Sequence, residues 1–320
     1  MWKFKSFKQF VQNILQLDLS RKLLLASIFL LTSLYPGQNS IQTIILRPGP
    51  IKAYKLPGPA QTIYPLHDGT NLSPLTAKSI VVQDVGSKTI IFSKNPDTIL
   101  FPASLTKIMT ALVSLEEWQD LNAVITVKNE DRAIGQTIDL IAGEQLTLRS
   151  LLYGLLIQSG NDAALALADN YPGGYYEFVK AMNAKAQSLH LTNTTFKNPS
   201  GIDQYGHVTT SRDLAILASY AIENLNIREI VGNKQYTISD VTGQITHELL
   251  TTNQLLGEIS GLSGLKTGWT SGAGECLISY VERDGNKIVV VVLGSTDRFG
   301  ETRTIVDWVY AHHDWITPVL

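Results

Sequence analysis

From residue 78 the chain alternates in short β-type runs: Ser79-Ile80-Val81-Val82-Gln83-Asp84, a Gly86-Ser87 turn, then Thr89-Ile90-Ile91-Phe92. Two such runs around a turn predict a hairpin. The period then changes. Leu105, Ile108, Met109, Leu112, Val113 and Leu115 recur at helical spacing after Pro102-Ala103-Ser104, so a helix is expected to open at or near Ser104. The same spacing marks residues 148–158, 162–170, 175–189 and 212–224. After residue 235 short β-type runs return, clearest at 276–282 and 287–293, before a helix-like stretch at 302–312. Strands, a long helical block, then strands again predict an α+β fold. Its antiparallel sheet of about five strands is formed from both chain ends, with a helical subdomain between them.

The amino-terminal region has a different pattern. Lys3, Lys5, Lys8, Arg21 and Lys22 precede an unbroken apolar run from Leu23 to Leu34. Basic residues stay on the cytoplasmic side while the apolar stretch enters the bilayer, so the rest of the chain is expected outside. The run falls below the ~20 residues that span hydrocarbon comfortably, as in a signal peptide. No small-x-small cleavage site follows, which tilts the reading toward an uncleaved anchor and leaves cleavage open. Phe4, Phe7, Phe10, Val11 and Ile14 among lysines fit an interfacial segment. Residues 36–75 contain Pro36, Pro48, Pro50, Pro57, Pro59, Pro65 and Pro74 and read as a stiff spacer. The expected organisation is therefore a basic segment with signal peptide or anchor at 1–35, a proline-rich linker at 36–75 and a catalytic domain at 76–320. Its place is the outer face of the cytoplasmic membrane or the periplasm.

Composition narrows the chemistry. The 320 residues, 44% hydrophobic and 17% charged, can bury a substantial core. Lys plus Arg number 26 against 28 for Asp plus Glu, so no broad field draws the chain to nucleic acid. A single cysteine, Cys276, excludes an intramolecular disulfide, and its apolar neighbours mark it as a core thiol. His190, His207, His247, His312 and His313 are scattered without metal-ligand spacing.

Ser-x-x-Lys occurs twice, at Ser104 to Lys107 and at Ser263 to Lys266, where about one chance occurrence is expected. Context separates the two. Ser104 stands at a helix start, where residues three apart share a face and backbone N–H groups are free. Ser263 lies in a Gly-rich, strand-like segment, where the same spacing puts the side chains on opposite faces. A serine hydroxyl needs a base, and Lys107 can serve if burial and a second cation, with Lys266 as the candidate, disfavour its ammonium form. The N–H of Ser104 is available as one arm of an oxyanion hole. Ser159-Gly160-Asn161 falls at the break between two helical segments, where Ser159 can relay a proton and Asn161 can grip a substrate amide. Taken alone, that pattern fits helix capping better. Lys266-Thr267-Gly268 falls in a strand-like run, and an edge strand there can hold a peptide by main-chain pairing, although taken alone it fits a basic turn next to Gly264 better. Gly268 removes the Cβ that would block close approach.

Together these elements resemble the penicillin-recognising serine enzymes. Phe101-Pro102-Ala103-Ser104, residues 158–164, Asn198-Pro199-Ser200-Gly201 and residues 264–273 are similar to the low-molecular-weight D-alanyl-D-alanine carboxypeptidase family of penicillin-binding proteins. The resemblance covers roughly residues 76–315 and implies a β-lactamase/transpeptidase-like fold. It also implies that Ser104 attacks the peptide bond between two terminal D-alanines of a peptidoglycan stem peptide, with Lys107 accepting its proton. Ser159 and Lys266 would relay protons, Thr267 would bind the terminal carboxylate, and the N–H groups of Ser104 and Trp269 would form the oxyanion hole. β-Lactams are implied as inhibitors that acylate Ser104, with no metal or organic cofactor; the amino-terminal pattern gives the membrane as a partner, and the charge balance excludes nucleic acid.

Two departures stand out. The chain stops at Leu320, soon after the catalytic domain is expected to end, which assigns anchoring to the amino-terminal segment. Trp269 is bulkier than expected after Lys-Thr-Gly and bears on cleft width. A D,D-endopeptidase acting on cross-links uses the same site. A β-lactamase of the commonest class would need a Glu-x-x-Leu-Asn segment, and Glu177 to Asn183 has the wrong spacing. A non-catalytic β-lactam sensor is disfavoured because every catalytic position is occupied. Arg212 and Asp213 are read as capping or packing residues.

Overall fold

A computed structural model describes residues 12, 14–33, 63–128 and 133–317. The chain divides into two units, Met1–Ala60 and Gln61–Leu320. In the first, Leu19–Ser33 forms helix α1, 15 residues that include Leu23, Leu24, Phe29 and Leu31 as exposed apolar side chains. At 1.5 Å per residue it is about 22 Å long, less than the ~30 Å hydrocarbon core. No helix among the described residues is long and apolar enough to cross a membrane. Most of the expected interfacial segment and residues 34–62 lie outside the described residues.

The second unit is built on a five-stranded antiparallel sheet. Its strands are β2 (Ser79–Asp84), β3 (Ile90–Lys94), β8 (Leu262–Thr270), β9 (Gly274–Arg283) and β10 (Asn286–Ser295), in the order β3-β2-β10-β9-β8. Both ends of the folded unit thus supply the sheet, the α+β arrangement expected from the pattern. Strand β10 is apolar on every residue from Ile288 to Leu293 because both of its faces are covered. Val289, Val291 and Leu293 enter the core on the helical side, and Ile288, Val290 and Val292 enter a second core. The second core is completed by Ile305, Val306 and Val309 of α8 (Arg298–His312).

The helical side holds α2 (Lys107–Glu117), α3 (Leu148–Tyr153), α4 (Asn161–Asn170), α5 (Tyr175–Ser188), α6 (Ser211–Ala221) and α7 (Leu225–Val231). Helix α2 runs through its centre, and every residue from Lys107 to Ser114 is buried. Three two-stranded ribbons complete the fold. One pairs β4 (Val124–Thr126) with β5 (Gln145–Thr147), and another pairs β6 (Gln235–Ser239) with β7 (Thr246–Leu250). In the third, β1 (Tyr64–His67) pairs with β11 (His313–Ile316). Residues 64–67, inside the stretch read as spacer, are therefore paired strand, and Pro65 sits on a two-stranded ribbon where a missing N–H is tolerated.

Candidate active site

The nucleophile candidate sits on a 3₁₀ turn, Ala103–Thr106, that leads into α2. Ala103 adopts a left-handed conformation (φ 49°) and its carbonyl accepts a hydrogen bond from Thr106 Oγ1 at 2.8 Å. Gly201 closes over this turn at φ 90°, and a Cβ there would lie 1.9 Å from the Ala103 oxygen. Only glycine meets both demands. Behind the turn, buried His207 has its Nε2 3.0 Å from Thr106 Oγ1, and its Nδ1 accepts the Lys197 backbone N–H at 3.3 Å. With Nδ1 accepting, the neutral ring carries its proton on Nε2 and donates to Thr106, which donates onward to Ala103. Burial pushes the imidazole down to about 4, with Asp203 opposing and Lys197 reinforcing the shift.

Lys107 is fully buried, yet its Nζ has three polar neighbours: Ser104 Oγ at 3.1 Å, Asn161 Oδ1 at 2.6 Å and the Ser200 carbonyl at 2.7 Å. Two of these are pure acceptors. A neutral amine satisfies them with its two N–H bonds, which leaves its lone pair toward Ser104, the one neighbour able to donate. Burial first, and then the positive charge of Lys266, hold the Lys107 amine well below its ordinary range, while Asp162 opposes them. The Ser200 carbonyl is held by a turn in which Asn198 Oδ1 accepts the Gly201 N–H at 2.7 Å, and Thr110 Oγ1 of α2 donates to Pro199 O at 2.6 Å.

Ser159 is buried, in left-handed conformation (φ 68°), where the π-helical turn Gly154–Gln158 ends and α4 is about to begin. Asn161 opens α4. Besides accepting from Lys107, its carboxamide donates to the Ile134 carbonyl, which leaves one amide N–H uncommitted among the described residues. Asp162 accepts the N–H groups of Ile138 and Leu140 at 3.0–3.1 Å and fixes the loop that carries Ile134 and Gly135.

Strand β8 is the edge of the sheet, and it passes the Ser104 turn so closely that a Cβ on Gly268 would lie 3.1 Å from Ser104 N. Lys266 is buried, donates to Thr267 O at 3.1 Å, and is pushed down to about 7 by burial and by the Arg298 charge. Thr267 Oγ1 lies 2.5 Å from Thr252 Oγ1. Trp269 is 63% exposed and belongs to the groove lining. Arg298, first residue of α8, donates from Nη1 to Gly268 O at 2.8 Å, and its buried Nε has no partner among the described residues.

Ser104, Ser159, Asn161, Thr267, Gly268 and Trp269 line one groove of ≈ 590 Å³. Lys107 touches Ser104 from within the protein, and Lys266 is buried in the adjoining strand. Ser263 and Lys266 share β8, apart from any helix start. Four contributors were not legible as site residues: the Ser200 carbonyl, Thr252, Asp203 and Arg298. Asp203 accepts Thr270 Oγ1 at 2.7 Å and Gly272 N–H at 2.9 Å, bracing the end of β8. Glu177 is a half-exposed residue of α5 paired with Lys180, outside the groove lining.

This groove can activate a serine with a neutral lysine, and comparison with known proteins places it in a family. Residues 68–297 match the family described as D-alanyl-D-alanine carboxypeptidase. The chain is 32% identical over 265 residues to D-alanyl-D-alanine carboxypeptidase DacF of Bacillus subtilis, covering 80% of this chain and 68% of that protein. It is 33% identical over 236 residues to a D-alanyl-D-alanine endopeptidase of Pseudomonas aeruginosa, covering 73% and 75%. The crystal structure of the Streptomyces K15 DD-transpeptidase superposes with a TM-score of 0.71 at 34% identity, over 76% of this chain and all of that one (100%). With the family match extending over the serine, the lysines and the edge strand alike, the chain belongs to the D-alanyl-D-alanine carboxypeptidase family.

Proposed function

We propose that the protein is a serine-type D-Ala-D-Ala carboxypeptidase that removes the terminal D-alanine from peptidoglycan stem peptides through an acyl-enzyme on Ser104. The observation that carries the site assignment is the placement of Lys107 Nζ 3.1 Å from Ser104 Oγ, with its other contacts taken by the Asn161 and Ser200 carbonyl oxygens. Ser104 Oγ attacks the carbonyl of the penultimate D-alanine as Lys107 takes its proton. The developing oxyanion is received by the N–H groups of Ser104 and Trp269. The C–N bond then breaks, and the leaving amine collects a proton through Ser159 and Lys266, whose amine titrates at about 7. Thr267 and the Arg298 side chain, both in the lining of the groove, are suited to the terminal carboxylate of the departing residue. Asn161 orients Lys107 and offers its free amide N–H to the acyl arm. Water completes the cycle by hydrolysing the ester. A β-lactam enters the same path at the first step and stalls there.

The basic, apolar amino-terminal segment supports export, with action at the outer face of the cytoplasmic membrane or in the periplasm. Helix α1 serves as a leader or as a shallow anchor, with residues 36–62 as the tether. A peptide strand pairing with β8 is the substrate geometry that the exposed sheet edge supports.

Fluorescent penicillin is expected to label the purified protein, with labelling lost in Ser104→Ala. Equal labelling of that variant would rule out this nucleophile. The relative named as an endopeptidase gives a second reading, cleavage of cross-links at the same site. D-Alanine release from a pentapeptide, measured beside cleavage of a cross-linked dimer, separates the two.

A further inference from the structure

The catalytic groove does not end at Asn161. Ile134, Asn161, Ser200 and Ile202 form a wall that it shares with a second depression of ≈ 200 Å³. Tyr175 and Gln204 are shared in turn with a third, of ≈ 430 Å³, otherwise walled by Tyr176 and Lys197. Through these shared residues the three depressions are neighbours in series. Thr267 and Arg298 mark the end assigned above to the departing residue, so the acyl arm is directed past Ile134 and Ile202 toward the extension.

The walls there indicate what they can receive. Tyr176 is 85% exposed and meets Tyr175 edge to face at 5.6 Å, a large apolar surface with hydroxyl tips. Gln204 and Asn198 are hydrogen-bonded to each other at 3.2 Å and present a polar edge. Lys197 is exposed and has no ion-pair partner among the described residues. Its stem lies so close to Gly206 that a Cβ there would come within 3.2 Å of Lys197 Cε, while its backbone N–H is tied to His207. No Asp or Glu lines either depression among the described residues.

We propose that this extension is a second subsite, which takes the amino-terminal arm of an acidic peptide donor, with Lys197 pairing to a carboxylate on that arm. The proposal rests on the carboxypeptidase reading and adds the part of the substrate that is read upstream of the scissile bond. Tyr175 and Tyr176 pack against the backbone of the arm, and the ammonium of Lys197 discriminates charge.

The test uses two peptides of equal length ending in D-Ala-D-Ala, one with a carboxylate on its amino-terminal arm and one with the corresponding carboxamide. The full-length protein is expected to favour the carboxylate by about two- to fivefold in kcat/KM, the range of a solvent-exposed ion pair. That preference shrinks in high salt. Lys197→Gln brings the ratio near one, and Lys197→Glu inverts it. Each ratio is taken within one preparation, so a change in folded fraction cancels. An identical ratio in the wild type and Lys197→Glu overturns the subsite alone. Failure of the wild type to release D-alanine from either peptide overturns the carboxypeptidase reading together with it.

Discussion

At the scale of single residues, the surroundings of Lys107 suit its amine to the part of a base. Burial and a like charge both favour its neutral form, and the like charge comes from Lys266, itself pushed down to about 7. Below that pH Lys266 carries its proton and repels a proton on Lys107. Replacing it by methionine removes the repulsion, so the Lys107 amine rises and its neutral fraction appears only at higher pH. The ascending limb of the penicillin acylation rate against pH is therefore expected to move to higher pH in Lys266→Met, beside a general loss of rate. An unmoved limb would show that Lys266 is not the cation that tunes Lys107. Much of this pair was legible, because Ser104 and Lys107 are three apart at a helix start and their contact is local. Ser200 was not, since it acts through a carbonyl that every residue type possesses. Arg298 was hidden for another reason: it meets β8 only because α8 starts beside that strand, 30 residues along the chain from Gly268.

At the scale of elements, Ser104 is positioned by a contact between two turns. The 3₁₀ turn at Ala103–Thr106 projects its Ala103 carbonyl into a space that residue 201 must leave empty. Gly201→Ala puts a methyl group 1.9 Å from that oxygen at a φ of 90°. Overpacking of this kind costs about 1–3 kcal/mol, and the left-handed backbone adds about 1–2 kcal/mol for a residue with a Cβ. Because the displaced atoms precede Ser104, acylation is expected to slow at least about tenfold. Gly243→Ala is the control: Gly243 also has positive φ (74°), but nothing lies within 4 Å of a Cβ there. It should lose the backbone contribution only and keep its acylation rate. Equal loss in both variants would mean that the turn contact is unimportant. The elements themselves were largely readable, since strands at 276–282 and 287–293 emerge as β9 and β10 with longer ends, and the helix expected over 302–312 begins at Arg298. The β1–β11 ribbon was not. Its four pairs include Pro65 and two histidines facing each other, His67 and His313, letters that carry no strand signal without a partner.

At the scale of the whole molecule, the buried histidine behind the Ser104 turn is expected to make global stability depend on pH. His207 faces Asp203 and Lys197, and burial holds it at about 4, below the ~6.5 of an exposed imidazole in the unfolded chain. The unfolded state therefore binds the extra proton first as the solution is acidified. Stability from this group is complete above pH ~6.5, declines as pH falls toward 4, and is spent below that. The difference of about 2.5 pH units corresponds to roughly 3 kcal/mol, a large share of the ~5–15 kcal/mol that holds a domain folded. His313 is also pushed down by burial and adds to the slope in the same direction. Asp97 and Asp240 are shifted below their ordinary range and act only at lower pH. Urea denaturation between pH 7 and 4 should show a stability loss that is shallower in His207→Gln, which keeps an amide near Thr106 but cannot titrate. If both proteins lose stability in parallel, His207 is not the group that couples protons to folding.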